Sequence, residues 1–333
     1  MSQGLAKFLV TMAAASSVLA PAAFAGVDPA LMALVMPDAK VLVGMQVSQA
    51  QTSPVGQYLL SQVQIDPNTN RIMTAAGFDP RRDLRELLAA SGDNLAGLVV
   101  GRGTFQPAKI SKAAVQAGAV LSKYRGVDLL TIAETPRPAA KDNAKDKPVA
   151  GSFAFLDAST VAAGSAEAVK AAIDRHASGA VFSGQLAEKA RQISVANDAW
   201  VATLTPPPAL SNAAQGSQLG PIQNVLQSAL QVSAGLKFAA THVTLSAEVL
   251  TRSAQDAQSM ADLLKFFAGM LQAGRSQDPN APKGPSLAEA TQISSNGPVM
   301  HVVISVPEQL MEQFMVPGSK NPASGPGKKV ALR

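Results

Sequence analysis

No cysteine occurs among the 333 residues, yet the chain opens as exported proteins do. In "MSQGLAKFLVTMAAASSVLAPAAFAGVDPA", Lys7 precedes an apolar run from Phe8 to Ala20, and Ala23-Phe24-Ala25 stand ahead of Gly26. A short positive region, an apolar core too brief to span a bilayer, and small residues at the positions a signal peptidase reads predict a signal peptide over residues 1–25, cleaved after Ala25. Many exported domains staple themselves with disulfides. This one has none to use, and a lipid anchor on a mature N-terminal cysteine is excluded as well. Stability must come from an apolar core, for which about 308 mature residues suffice in one or two domains.

No second run of ~18 apolar residues follows, so no transmembrane segment is expected in the mature chain. The predicted location is the periplasm or the exterior. The formal charge of +5 is unevenly placed: Lys7 lies in the leader, and Lys320, Lys328, Lys329 and Arg333 lie in a tail without acids. Residues 26–319 carry 23 basic and 23 acidic side chains. A neutral body has no field to steer a polyanion, and one Trp with two Tyr supplies little to stack on bases, so no nucleic-acid partner is expected. The tail 316–333, rich in Pro, Gly, Ser and Lys, reads as disordered, its four cations able to make weak contact with an anionic surface.

Strand and helix signals alternate along the body. "KVLVGMQV" (40–47) reads as a strand and "SPVGQYLLSQVQ" (53–64) as a helix capped by Ser53 with Pro54 at its first position. Asp79 and Pro80 repeat that start before Leu84, Leu87 and Leu88, which predicts a helix ended by Gly92. Further strands are expected at 95–103, 127–134, 152–158 and 199–206, with helices at 107–117, 166–177 and 186–193. The stretch 135–150 reads as a solvated loop. Later come a helix from Pro221 to about Leu230, two strands within 234–251, a long helix over about 253–273, a hairpin turning at Asn296-Gly297, and a final helix from Pro307.

Strand followed by capped helix recurs, and Ser165-Ala166-Glu167 echoes Ser253-Ala254-Gln255. The expected class is α+β: antiparallel sheets with helices packed on one face, in two similar lobes over 26–182 and 183–315.

Each candidate site has a structural competitor. Gly164-Ser165 follows a strand as a phosphate loop would, but the converging glycines and the Lys-Ser pair are missing, so Ser165 reads as a helix cap with Glu167 against the helix dipole. "LVVGRGTFQPAKISKAAV" sets Gly101 and Gly103 between strand and helix, with Glu134 ending the next strand; Gln106 stands where the third glycine of a dinucleotide site belongs, so a glycine turn is preferred. His176, His242 and His301 are never paired at helical spacing, and zinc would need His242 and His301 on paired strands with Glu248. Met260, Leu263, Leu264, Phe267, Met270 and Leu271 form a stripe on the long helix, read as a core face in preference to a partner or membrane surface. No catalytic, cofactor-binding or metal-binding residue is therefore assigned, and no cofactor is expected.

"MPDAKVLVGMQVSQAQTSPVGQYLL" resembles the opening of secreted, acidobacteria-like bacterial α+β proteins of unknown function. "GFDPRRDLRELL", "FAFLDASTVAAGSAEAVKAAID" and "VMHVVISVPEQL" resemble later segments of that pattern. The resemblance implies an exported α+β protein and transfers no activity or site residue. The expected function is a non-catalytic binding or envelope-associated module whose partner is a protein or other envelope component. The alternative is an exported hydrolase that assembles His242, Glu248 and Asp157 from distant strands.

Overall fold

A computed structural model of the chain describes residues 26–62, 67–92, 97–132, 151–205, 227–239, 242–276 and 289–307. The expected signal peptide, the 135–150 loop, the final helix and the basic tail lie outside the described residues. Of the helix expected from Pro221 to about Leu230, residues 221–226 lie outside the described residues, while Ala229 and Leu230 begin a strand.

The first half runs α1 (Pro29–Met32), β1 (Val41–Gln46), α2 (Val47–Ala50), α3 (Pro54–Gln62), α4 (Pro67–Ala76), α5 (Pro80–Asp83), β2 (Leu84–Ser91), β3 (Leu98–Gly103), α6 (Pro107–Gln116), β4 (Val120–Tyr124), β5 (Val127–Ile132), β6 (Gly151–Phe155), β7 (Thr160–Gly164) and α7 (Ala166–Ser178). The second runs α8 (Gln185–Ala196), β8 (Ala199–Thr203), β9 (Ala229–Phe238), β10 (His242–Thr251), α9 (Ala254–Ser276), β11 (Thr291–Asn296) and β12 (Val299–Pro307). Among the described residues, twelve strands join one sheet in the order β11-β12-β10-β9-β8-β1-β2-β3-β7-β6-β5-β4, and every pairing is antiparallel. The α+β class with antiparallel pairing follows the sequence reading. The expected boundary at 182/183 falls between α7 and α8, and the sheet passes across it unbroken through the pairing of β1 with β8.

Helices cover both faces of the sheet, not one. Leu42, Leu88, Val100, Ala162 and Ala154 pack on one face with residues of α1, α7 and α8. Their neighbours along the strands point the other way: Leu130, Phe153, Phe155 and Val161 pack with α4 and α6, and Val249, Val302 and Ile293 pack with α9. The physical reason lies in runs such as Leu98-Val99-Val100 and Leu129-Leu130, which offer apolar side chains to both faces and so call for cover on both.

The helix expected from Pro80 is a single turn. Asp79 does cap it, accepting from the Arg81 amide at 3.0 Å, but the chain turns extended at Leu84 and becomes β2. "LRELLAAS" is rich in helix formers; its place between β1 and β3, with a ladder on each side, overrides that preference. Four further elements carry no expectation from the sequence: α1, α2, α4, and β4, which pairs with β5 through a tight turn at Arg125 (φ 48°) and Gly126 (φ 83°).

Candidate functional site

A cavity of about 670 Å³ opens between the sheet and the pair α4 and α6. Its floor is the face bearing Leu87, Val99, Val161 and Ala163, and Ile72, Met73 and Ile110 form its roof. Four phenylalanines make one wall. Phe105 lies between Phe78 and Phe155, with ring centroids 5.6 and 5.4 Å apart, and Phe153 meets Phe155 edge-on at 5.9 Å. Thr69 and Ser165 are polar residues of the described lining, Ser152 borders it with its hydroxyl turned to the other face, and none of that lining is charged. The floor is wide because β3 and β7 place Gly101 and Ala163 there; a Cβ at Gly101 would press within 3.2–3.4 Å of Leu87, Val161 and Leu84. Val99 remains 42 % exposed although it sits on a central strand.

Gly164-Ser165 stands at the rim of this cavity. The Ser165 hydroxyl accepts from the Ala168 amide at 3.2 Å and α7 ends at Gly179 in the left-handed region, so the pair does cap a helix. Ser253 repeats the arrangement, accepting from the Asp256 amide at 3.1 Å. Gly164 is required for another reason: a Cβ would meet the Gly97 carbonyl oxygen at 2.5 Å. Gly101 and Gly103 do not form the expected turn. Both are residues of β3 outside the left-handed region, and they serve close packing, Gly103 against the Asp83 carbonyl. Glu134 lies outside the described residues.

The strands bearing His242 and His301 do pair, in a register that keeps the histidines apart. His301 stands opposite Glu248 with Nδ1 3.6 Å from Oε1, while Lys189 of α8 forms an ion pair with the other carboxylate oxygen. His242 stands opposite Pro307, six residues along β10 from Glu248, roughly 20 Å at strand rise. Asp157 belongs to the turn between β6 and β7, where it accepts from the amide and hydroxyl of Ser159 at 2.6 and 2.7 Å. Burial pushes its carboxyl up, but these donors outweigh burial and hold it below the usual range. His176 is exposed in the last turn of α7. Among the described residues, no three His, Asp or Glu side chains gather as a metal site would need. The α9 stripe divides: Met260 is buried, Leu264 packs beside it, and Met270 is exposed together with Phe266. The side chain of Leu271 lies outside the described set.

One polar cluster has no counterpart in the sequence reading. Asp28 caps α1, its carboxylate sits 2.8 Å from the Arg102 guanidinium, and its amide donates to Glu86 at 3.0 Å. An arginine between two strand glycines was the available signal. The cavity had a weaker one, since the Ile72, Met73 and Ala76 spacing after Pro67 marks α4 as amphipathic.

No family model matches the chain, and no curated protein is significantly similar to it. Solved structures do share the fold. Crystal form III of TP0453 superposes with a TM-score of 0.54 at 11% identity, covering 87% of this chain and 99% of that one. Crystal form I gives 0.51 at 10% identity, covering 87% and 97%. These neighbours are α+β as well, and at such identity the likeness is one of fold alone. Among the described residues, no helix is long and apolar enough to cross a membrane.

Proposed function

We propose that the chain is an exported, non-catalytic binding module of the cell envelope, and that its ligand occupies the cavity between the sheet, α4 and α6. The observation that carries this reading is a space of about 670 Å³ with a lining almost wholly apolar. Small-molecule sites span roughly 300–1,000 Å³ and are apolar with a few polar groups. Export is supported by the leader sequence, and a partner other than nucleic acid by the neutral body. The basic tail adds a weak contact with an anionic envelope surface. The hydrolase alternative gains little support, because His242, Glu248 and Asp157 belong to separate parts of the sheet.

The test is titration of the mature chain with N-phenyl-1-naphthylamine, an uncharged probe that brightens in apolar surroundings. Saturable binding at one site is expected. Val99→Phe, which puts a ring into the floor from a side chain already exposed, should weaken it by about tenfold or more. Binding that does not saturate, or that ignores the substitution, would refute the site. Cell fractionation tests export separately: a chain beginning at Gly26 in the periplasmic or extracellular fraction is expected, and an uncleaved cytoplasmic chain refutes it.

A further inference from the structure

Resting on that reading of the cavity, we infer that its ligand is an uncharged amphiphile: one hydrocarbon chain ending in a hydroxyl or carbonyl, and not in a carboxylate, phosphate or ammonium. Floor, roof and wall are hydrocarbon and aromatic, and the described lining holds no Lys, Arg, His, Asp or Glu. A charge carried in would leave water without an opposite charge to meet it, which a neutral end group avoids.

A polar group at the rim suits such an end group. Ser152 does not supply it, because its hydroxyl points with Ala154 to the other face of the sheet and bonds Thr131 there. Ser165 accepts from the Ala168 amide, which leaves its own proton to offer a ligand oxygen. The amino end of α7 opens at the same rim, and alone it would favour an anion. Glu167 in its first turn already places a negative charge there, so an anionic end group beside Ser165 would be repelled.

The experiment compares ligands that differ only at the end group. Decan-1-ol, decanoate and decyltrimethylammonium compete with bound N-phenyl-1-naphthylamine on the whole mature chain at about pH 8, where the acid is fully ionised. The alcohol should displace the probe at a concentration about tenfold or more below that needed for either ion. Decanoate or the ammonium competing as well as the alcohol overturns the inference and leaves the cavity reading intact. Failure of all three to displace a bound probe also overturns it. Failure of the probe itself to bind is the distinct outcome that removes the cavity reading, and this inference with it.

Discussion

Gly44 of β1 and Trp200 of β8 are register partners, and the indole lies where a side chain on Gly44 would have to be. This pair sits at the seam through which the first seven strands of the sheet join the last five. Trp200 is 4 % exposed and is the sole tryptophan, so it reports on the seam directly. Gly44→Ala should force the ring aside and cost about 2–3 kcal/mol, as overpacking of a full core does. Urea denaturation followed by tryptophan emission measures both effects; unchanged stability and an unshifted spectrum would mean that the ring has room to move.

Ser165 offers a choice between a cap and a ligand site. If the hydroxyl serves α7, Ser165→Ala lowers stability by about 1 kcal/mol, and Ser165→Asp, also a good cap next to the helix dipole, largely retains it. Inorganic phosphate at roughly 10 mM should leave Tm unchanged, since only a ligand that binds the folded state raises it. A rise in Tm with phosphate, lost in Ser165→Ala, would restore the phosphate cradle.

The parts of this fold that were legible from sequence are those decided locally. Ser53, Asp79, Ser165 and Ser253 each mark a helix start, and Asn296-Gly297 marks a hairpin, because caps and turns depend on residues a few positions apart. What was illegible depends on distant pairing. β2 reads as helix until β1 and β3 flank it. The cavity floor takes Leu87, Val99 and Val161 from three strands, and its roof includes α4, whose polar first turn disguises it. Cover on both faces was written in Leu98-Val99-Val100 and Leu129-Leu130, but a short apolar run has the same period whichever element it joins.

Glu248 holds Lys189 on one oxygen and faces His301 on the other, with no second histidine in reach. The cluster is therefore expected to act as an ion pair docking α8 on the sheet, and not to hold metal. A chelator should leave Tm unchanged, and added zinc should not raise it. Glu248→Gln should cost about 1 kcal/mol or less, because the pair is partly exposed. A zinc-dependent rise in Tm that Glu248→Gln abolishes would show the opposite.

Glu86 is buried beside Asp28 and Arg102, and its carboxyl is held above the usual range. Burial is the main cause and the Asp28 carboxylate adds to it; the Asp28 amide, the Gln46 side chain and Arg102 oppose it without cancelling it. Between the unfolded and native values the folded chain keeps a proton that the unfolded chain has released. Stability from this group is thus complete below the ordinary glutamate value of about 4.3 and is lost as pH rises through the raised native value. Glu86→Gln removes the titration and keeps a carbonyl oxygen for the Asp28 amide. In urea denaturation across that range, the stability of Glu86→Gln minus that of the natural chain should grow with pH and then level off. A difference that stays flat, or shrinks as pH rises, would mean that Glu86 ionises in the folded chain at least as readily as in the unfolded one.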